Sequence, residues 1–462
     1  MTVPPPGNVK THHGRCFGGN MKKNLLGTLG VLSLIGVLLA PSVVMAQART
    51  EVQFWHAFTG RLGELVAEQV ADFNASQDDY VIVASHKGNY TETLNAGIAA
   101  FRAGEQPHIL MVFEVGTATM MTAGGAIKPV HKVMTESGAS FDPDAYIGAV
   151  KGYYTTTEGE MLSLPFNSST PVLWVNKDAM SAAGVDPDTD LSTWEQVDVV
   201  LGQLKAGGAS CPLVTAWQSW IHLENLSAYH NVPFASKSNG FAGLDTELMV
   251  NGETQIAHLT KMGEWARDGK FIYTGRRNEG GANFRSGECV LFTESSAGYA
   301  GISDEAEFDF EVRPLPYWEA IVDSPQNTII GGASLWVMSG HEDDAYKGVA
   351  EFLSFLSTSD VQAAWHQNTG YLPITTEAGE VTRASGFYDE NPGTDIALIQ
   401  MTSNQPTANS KGLRLGFFDQ IRGIIDEELE AIWAGDKSAK EAMDSAKTRG
   451  DALLRRFESA NR

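Results

Sequence analysis

Apolar and polar positions alternate along the chain in a way that predicts strands and helices in turn. Apolar runs typical of strands occur at 52–55, 80–85 and 109–114, and stretches of helical spacing lie between them at 62–73 and 91–103. Because strands that alternate with helices pair in parallel through helical crossovers, the pattern predicts an α/β fold. Ligands of such sheets bind in a crevice at the carboxyl ends of the strands.

The second half of the chain continues the same pattern. Two helices and one strand are predicted at 193–206, 223–229 and 289–293. A further strand within 327–339 is expected to return to the sheet of the first half. The tail at 421–457 has helical spacing, and Gly435 and Gly450 are expected to break it.

The segment at 165–178 combines a short polar stretch with an apolar strand and an Asn-Lys-Asp turn. Pro165 and Pro171 stiffen it and disfavour a helix, while the Ser and Thr hydroxyls between them can bond a ligand. We interpret the segment as a hinge between two lobes and as the floor of a cleft. An ordinary loop at the entry to a strand is the structural alternative.

The length of 462 residues exceeds what one hydrophobic core usually supports, so two lobes are expected. Lobe I is predicted to comprise residues 49–166 and 327–357, and lobe II residues 167–326 and 358–457. A chain that crosses repeatedly between two lobes is suited to hinge closure around a ligand.

The N-terminal part has the pattern of a targeting segment. Residues 21–46 combine a charged start, an apolar middle and a small-residue end, which predicts a secretory signal peptide rather than a membrane span. Residues 1–20 are interpreted as a mis-called start or as non-native sequence. Export places Cys211 and Cys289 in an oxidising compartment. The sequence leaves two alternatives for them, one disulfide or two buried free thiols.

Charge and motif content exclude several classes of function. A net charge of −23 argues against nucleic-acid binding, which needs clustered Lys and Arg. The sequence contains no dinucleotide fingerprint, no phosphate-binding P-loop, no nucleophile elbow and no zinc-protease helix motif. Its His residues are scattered singly along the chain. Because acidic residues are numerous, the carboxylate pair of a secreted glycosidase stays a possible interpretation, although nothing in the sequence singles out one pair.

Several predicted strands are followed by aromatic residues or by polar residues next to a glycine. Such residues occur in Lys-Gly-Asn-Tyr at 87–90, in Phe-Glu-Val-Gly-Thr at 113–117, in Trp-Gln-Ser-Trp at 217–220 and in Thr-Glu-Ser-Ser-Ala-Gly at 293–298. Each is weak alone, and the two tryptophans three residues apart are also compatible with a core stripe. Together they lie where the fold predicts a ligand crevice.

In their order along the chain, these segments closely resemble the glycerol-phosphate branch of the extracellular solute-binding proteins of ABC importers. The resemblance covers nearly all of the chain after the leader and rests on seven motifs: Lys-Gly-Asn-Tyr at 87–90, Gly-Ile-Ala-Ala-Phe-Arg at 97–102, Glu-Val-Gly-Thr-Ala-Thr-Met-Met at 114–121, Pro-Phe-Asn-Ser-Ser-Thr-Pro-Val-Leu at 165–173, Ile-Ile-Gly-Gly-Ala-Ser-Leu-Trp-Val-Met at 329–338, Thr-Gly-Tyr-Leu-Pro-Ile at 369–374 and Lys-Gly-Leu-Arg-Leu-Gly at 411–416. It implies a class II periplasmic-binding-protein fold, in which each lobe is a mainly parallel sheet flanked by helices and the ligand cleft lies at the hinge.

The resemblance also implies the ligand contacts. By motif, the matching positions are Tyr90, Glu114, Ser169, Trp217, Trp220, Ser295, Gly332, Tyr371 and Arg422. Arg422 is expected to hold phosphate oxygens with its planar fork, Glu114 to accept from a glycerol hydroxyl, and Gly332 to let the backbone approach closely. A surface salt bridge toward Asp426 and its acidic neighbours is the structural alternative for Arg422, and a solvated strand-end acid is the alternative for Glu114.

Several positions depart from the branch's usual residues and change the expected shape of the cleft: Trp174-Val175, Tyr229-His230, Glu294 and Tyr299. The implied function is that of a periplasmic, monomeric binding component that takes up sn-glycerol 3-phosphate and delivers it to an ABC permease with a cytoplasmic ATPase. No enzymatic activity, cofactor or metal is expected. A glycerophosphodiester such as glycerophosphocholine is the alternative ligand, and an oligosaccharide is a more distant one.

Overall fold

The computed structural model describes residues 48–156 and 158–462 of the chain. The segments predicted at 1–20 and 21–46 lie outside the described residues. The described part contains ten strands: β1 (Thr50–His56), β2 (Tyr80–His86), β3 (Ile109–Phe113), β4 (Leu164–Ser169), β5 (Pro171–Asn176), β6 (Cys211–Thr215), β7 (Phe271–Ile272), β8 (Cys289–Ser295), β9 (Phe310–Arg313) and β10 (Gly331–Val337).

The strands form two five-stranded sheets. The first has the order β2-β1-β3-β10-β4 and the second β7-β6-β8-β5-β9. Every residue of β3 is buried, as expected for a strand that is covered on both faces by other elements. The predicted α/β fold with two sheet-centred halves is confirmed.

The sheets are mixed. The pairs of β1 with β2 and β3, and of β6 with β7 and β8, are parallel. β10 is antiparallel to β3 and β4, and β5 is antiparallel to β8 and β9. Four strands of each sheet therefore share one direction and the fifth runs against them. The alternation of elements could not reveal this reversal, because β5 enters its sheet directly after the chain leaves the other one and β10 returns after a long excursion.

Helices surround both sheets. Their bounds are α1 (Gly60–Ser76), α2 (Tyr90–Ala103), α3 (Thr117–Thr122), α4 (Val130–Glu136), α5 (Gly148–Lys151), α6 (Lys177–Ala182), α7 (Trp194–Ala206), α8 (Leu226–Tyr229), α9 (Ser236–Asn239), α10 (Glu253–Arg267), α11 (Gly280–Arg285), α12 (Tyr299–Glu305), α13 (Asp343–Leu356), α14 (Ser359–Thr369), α15 (Thr376–Ala384), α16 (Phe387–Glu390), α17 (Ile396–Thr402), α18 (Phe418–Trp433) and α19 (Ala439–Asn461). Short 3₁₀ turns occur at Glu114–Gly116, Pro143–Ala145 and Ser296–Gly298, and a π-helix at Trp220–Asn225. None of the helices in the described ranges is long and apolar enough to cross a membrane.

The tail contains two long helices, as its periodicity predicts, but only one of the two expected breaks occurs. Gly435 lies between α18 and α19 with a φ of 80°. Gly450 lies inside α19, so its prediction as a break is wrong. A Cβ atom at Gly450 would come within 2.4 Å of Leu248 Cδ1, which shows that the glycine serves close packing of α19 instead.

The predicted hinge segment carries the chain from one sheet to the other. β4 belongs to the first sheet and β5 to the second, and only Thr170 separates them. The predicted lobe boundary at residue 166 falls within β4, which continues to Ser169. Trp365 on α14 stacks on Phe166 of the first sheet at 5.1 Å, although residues from 358 onward were assigned to lobe II. The exact division into lobes stays a prediction.

Cys211 and Cys289 form a disulfide, which settles the alternative left by the sequence. The two residues lie at the starts of neighbouring parallel strands, where β6 and β8 place them directly opposite each other. The sheet register therefore brings together two thiols that are 78 residues apart.

We expect replacement of both cysteines by alanine to lower the free energy of unfolding by about 4 kcal/mol, because the unfolded chain gains the freedom of the released 78-residue loop. The urea midpoint of the double variant, measured beside that of the oxidised wild type, checks this. A reducing agent should shift the wild type toward the variant and leave the variant unchanged. Equal midpoints for oxidised wild type and variant would contradict the prediction.

Candidate functional site

A cavity of about 260 Å³ lies between the two sheets, beside the crossing from β4 to β5. The structure brings together all nine residues that the sequence nominated, since each of them lines this cavity: Tyr90, Glu114, Ser169, Trp217, Trp220, Ser295, Gly332, Tyr371 and Arg422. Four come from strands of the two sheets or the turns that directly follow them. The crevice is therefore where the topology of an open α/β sheet places a ligand site.

The first sheet contributes an aromatic wall. Tyr90 is the first residue of α2, whose start is fixed by a capping box between Asn89 and Glu92. Its ring stacks on Phe113 with a centroid distance of 5.4 Å and an interplanar angle of 7°. Its hydroxyl accepts a hydrogen bond of 3.0 Å from Asn167 Nδ2 and donates its own proton to the hydroxyl of Tyr371.

Gly332 provides a close approach of the backbone. It lies at the start of β10, opposite Ser168, with a φ of 101°. A Cβ atom at this position would lie 1.7 Å from the carbonyl oxygen of Asn167. Only glycine fits, because any side chain would both clash and require a disfavoured backbone conformation.

The second sheet contributes the two tryptophans. Trp217 adopts a φ of 45°, in the left-handed region that costs a non-glycine residue of order 1–3 kcal/mol. The Trp217 ring lies 6.5 Å from Tyr90 and is covered by the guanidinium of Arg277 at 5.3 Å. Trp220 is buried, and its Nε1 has no hydrogen-bond partner among the described residues. This indole is therefore a donor that the protein itself does not satisfy.

Trp220 begins the π-helix at Trp220–Asn225, a rare element that often occurs at functional sites. His222 anchors this turn, because its Nε2 lies 2.9 Å from Thr215 Oγ1 and its Nδ1 lies 3.1 Å from His258 Nε2. Burial lowers the pKa of His222 to about 3, so the ring is neutral at physiological pH. The sequence predicted a helix that starts only at residue 223 and missed the wider turn, which presents both Trp220 and Glu224 toward the centre of the protein.

The end of β8 places two side chains at the cavity. Ser295 Oγ accepts a hydrogen bond of 3.1 Å from Ala297 N and so caps the turn at Ser296–Gly298. The Glu294 side chain is only 4% exposed, and its Oε1 accepts a hydrogen bond of 2.6 Å from Ser295 N. Burial raises the pKa of Glu294 to about 8, and no cation lies within ion-pair distance of it among the described residues.

Tyr371 faces the cavity from the loop after α14. Its ring stacks on Trp365 at 5.9 Å with an interplanar angle of 4°, and His366 Nδ1 donates a hydrogen bond of 2.5 Å to its carbonyl oxygen. Burial raises the pKa of Tyr371 to about 12. Its phenol is therefore protonated at neutral pH and can donate to a ligand oxygen.

Arg422 lies at the centre of a buried ion-pair triad. Its Nε and Nη2 donate to the two carboxylate oxygens of Glu224 at 2.8 and 2.7 Å, and Nη2 also donates to Glu114 Oε1 at 2.6 Å. Burial alone would lower the pKa of Arg422, but the two carboxylates raise it. The triad links α18 and the π-helix to the turn that follows β3, and so connects the two sides of the cavity.

This geometry differs from both sequence interpretations of Arg422. The residue is buried and does not pair with the acidic residues that follow it on α18, so the surface salt bridge is wrong. Glu224 fills the Nε–Nη2 edge of the guanidinium fork that was expected to hold phosphate, and the phosphate contact itself stays a prediction. Only Nη1 has no hydrogen-bond partner among the described residues. Glu114 is likewise buried rather than solvated at a strand end.

Glu224, the buried partner of Arg422, is the residue of this site that the sequence interpretation missed. A signal was available, because Glu224 is a charged residue within the apolar sequence Trp-Ile-His-Leu-Glu-Asn-Leu at 220–226. Buried charges occur almost always with partners. The outer end of the cavity was also missed: it is lined by Thr59–Leu62 at the start of α1 and by the ion pair between Arg285 and Glu305.

Several proteins of similar sequence carry the same name. The sn-glycerol-3-phosphate-binding periplasmic protein UgpB of Yersinia enterocolitica is 50% identical over 418 residues, which cover 90% of this chain and 95% of the relative. The protein of the same name from Escherichia coli is 49% identical over 418 residues with the same coverage.

Solved structures share the fold at much lower identity. UgpB from Mycobacterium tuberculosis, in complex with glycerophosphocholine, superposes with a TM-score of 0.74 at 20% identity, over 88% of this chain and 98% of that one. The cyclic alpha-maltosyl-1,6-maltose binding protein from Arthrobacter globiformis superposes with a TM-score of 0.69 at 19% identity, over 88% and 100% of the two chains. The two-sheet architecture is thus shared with proteins that bind chemically different solutes.

The family model of the bacterial extracellular solute-binding proteins matches residues 68–394, which span both sheets except for β1. Together with the relatives that align over 90% of the chain, this match shows that the protein belongs to the bacterial extracellular solute-binding proteins, whose members bind solutes rather than convert them.

Proposed function

We propose that this protein is the periplasmic substrate-binding component of an ABC importer, which binds sn-glycerol 3-phosphate in the cavity between the sheets and delivers it to a membrane permease. The observation that carries the proposal is the convergence of all nine nominated residues on one cavity, in a chain about 50% identical to proteins named for this ligand. The names of those relatives also support a periplasmic location. The disulfide is compatible with that oxidising compartment.

The cavity offers the donors that a phosphate ester needs. The hydroxyls of Ser169 and Tyr371 and the Nε1 of Trp220 are short, neutral donors on the cavity lining, and the Tyr90 hydroxyl can support Tyr371 through the hydrogen bond between them. Arg422 adds its unpaired Nη1, while its charge is already balanced by carboxylates. We therefore expect neutral donors rather than a dedicated cationic fork to supply most of the phosphate contacts, with Glu114 accepting from a glycerol hydroxyl.

The wall of the cavity suits the carbon skeleton of the ligand. Trp217 and Tyr90 face it from opposite sheets, at a centroid distance of 6.5 Å from each other. A ligand that touches both sides favours a closed arrangement by the difference between its affinities for the closed and open states. The same contacts would position the ligand for transfer to the permease when the cleft opens.

Calorimetric titration tests the proposed ligand. The protein without its leader should be unfolded, stripped and refolded before the titration, so that ligand retained from the host does not mask binding. We expect sn-glycerol 3-phosphate to bind with a dissociation constant of about 1 µM or lower, which corresponds to about −8 kcal/mol. Maltose, a neutral solute, should produce no saturable heat. Saturable binding of maltose alone would contradict the proposal.

A glycerophosphodiester is the second candidate ligand, and one observation favours it. The cavity extends as far as Glu294 and Glu305, and the indole rings of Trp217 and Trp220 are part of its lining. Aromatic faces attract a quaternary ammonium. Glycerophosphocholine therefore belongs in the same titration series, and tighter binding of it than of glycerol 3-phosphate would reassign the ligand while keeping the phosphate contacts.

A further inference from the structure

A second cavity, of about 310 Å³, lies at the Lys-Gly-Leu-Arg-Leu-Gly motif of residues 411–416. The residues that line it differ from those of the ligand cavity and include Phe241, Lys411 and Arg414. This motif supports the family resemblance, yet the proposed function does not use it. Its position in the structure calls for a separate explanation.

The motif joins the two sides of the molecule. Arg414 Nη2 donates to the carbonyl oxygens of Gly152, Tyr153 and Thr155 at 3.3, 2.9 and 3.1 Å, in the segment that leads toward β4 of the first sheet. Tyr153 in turn donates from its hydroxyl to Leu413 O at 2.5 Å. The motif itself leads into α18, which packs on the second sheet through the contact of Trp433 with Phe271 at 5.4 Å.

Two cations lie together in this cavity without a counter-charge. Lys411 Nζ lies 4.6 Å and Arg414 Cζ lies 4.2 Å from the centroid of the same Phe241 ring. Within residues 48–156 and 158–462, neither cation forms an ion pair, and the cavity lining contains no Asp or Glu. Burial lowers the pKa of Lys411, and the charge of Arg414 lowers it further, so their proximity is unfavourable for the protein alone.

The hydrogen bonding of Arg414 is also incomplete. Its Nη2 is fully used by the three carbonyl groups, which fix the plane of the guanidinium. Its Nε is buried and has no partner in the described part of the chain. In a chain with 56 acidic and 33 basic residues, two adjacent cations without a carboxylate are unusual enough to need a reason, and an anionic ligand supplies both the charge and the acceptor.

We propose that the cavity formed by Phe241, Lys411 and Arg414 is a second binding site, which takes a small oxyanion of the phosphate or sulfate type. Arg414 is held in place by backbone carbonyls and presents a planar donor group, while Lys411 supplies an ammonium above the same Phe241 ring. The hydroxyls of Thr155 and Thr156 lie on the same lining and can complete the shell. The oxyanion would sit between the segment that leads to β4 and the segment that leads to α18.

Titration of inorganic phosphate at constant ionic strength tests this site. We compare the wild type with Lys411→Gln, with the charge-preserving Lys411→Arg, and with Lys347→Gln as a matched loss of one charge. Lys347 is exposed and lies on α13 outside both cavities. Any phosphate that enters the ligand cavity contributes equally to all four proteins, so differences among them report the second site.

We expect the second-site component to weaken about tenfold or more in Lys411→Gln and to persist in Lys411→Arg and in Lys347→Gln. Binding of glycerol 3-phosphate should be unchanged in all of them, which shows that each variant is folded. Equal phosphate binding by Lys411→Gln and Lys347→Gln would overturn the proposal, as would absence of a second component in the wild type. Either result leaves the proposed function of the ligand cavity untouched.

Discussion

Replacing Arg422 by methionine is expected to lower the free energy of unfolding by about 3–5 kcal/mol and to weaken binding of glycerol 3-phosphate roughly a hundredfold or more. Methionine fills a similar volume but removes the only cation that, among the described residues, pairs with Glu114 and Glu224. Both carboxylates are buried, so their charges would face each other without compensation. Urea unfolding and calorimetric titration measure the two effects separately.

Two further variants isolate the triad as the cause. Arg49→Met removes an arginine from its ion pair with the fully exposed Asp78, where a loss of at most about 1 kcal/mol is expected. The double variant Arg422→Met with Glu224→Gln should recover part of the stability, because it also removes one of the two uncompensated charges. If Arg422→Met unfolds at the same urea concentration as Arg49→Met, the triad does not stabilise the fold.

As the pH rises from about 4.5 to about 8, Glu294 is expected to lower the free energy of unfolding by about 5 kcal/mol. Buried histidines such as His222 act in the opposite direction below about pH 6.5, because their lowered pKa favours the folded chain as the pH rises. The pKa of Glu294 is raised by burial from 4.5 to about 8, against the opposing effects of the Ser295 N–H and the charge of Arg285. Between these two values the folded chain retains a proton that the unfolded chain has lost. At this carboxyl, rising pH therefore favours the unfolded chain. The loss of stability that it causes reaches its full size once the carboxyl of the folded chain ionises.

Glu294→Gln removes this contribution to the pH dependence of stability. Glutamine keeps an oxygen that can accept the hydrogen bond from Ser295 N, and it cannot ionise. We expect the variant to be more stable than the wild type at pH 8 and similar to it near pH 4.5, as measured by urea unfolding across that range. Glu380→Gln, at an exposed position of α15, provides the control and should keep the slope of the wild type. An unchanged slope in Glu294→Gln would show that this carboxyl does not hold its proton.

The same carboxyl bears on the ligand. Glu294 lines the cavity proposed for a phosphate ester, and its ionised form would repel the phosphate. Affinity for glycerol 3-phosphate should therefore decrease above pH 8 in the wild type and less so in Glu294→Gln. The residue was noticed in the sequence as a departure from the related proteins, but its burial and its lack of a cation partner depend on the packing of β8.

Much of the fold could be predicted because the signals are local. The strand patterns at 52–55, 80–85 and 109–114 match β1, β2 and β3 within two residues, and the helical stretch at 193–206 matches α7 within one. Such runs are recognisable because each residue's burial follows from the period of its own element. The reversed direction of β5 and β10 escaped prediction, since strand direction depends on where the chain re-enters a sheet.

The candidate site was predictable as a set of residues but not as a network. Motif resemblance nominated nine positions, and all of them line one cavity. It could not show that Glu224 occupies the fork of Arg422, because these residues are 198 positions apart and no local pattern couples them. It also could not choose between a disulfide and two thiols, which the register of β6 against β8 decides.

By itself, the sequence determined the α/β class, the order of most strands and helices along the chain, and the residues expected at a ligand site. These properties follow from short-range periodicity, turn chemistry and motif. Only the tertiary structure decided which charges neutralise one another, which donors face the cavity unpaired, and where the motif at 411–416 leaves two cations together. Those outcomes depend on the distances between residues that are far apart in sequence and on the burial of these residues together. No local stretch of sequence specifies either quantity.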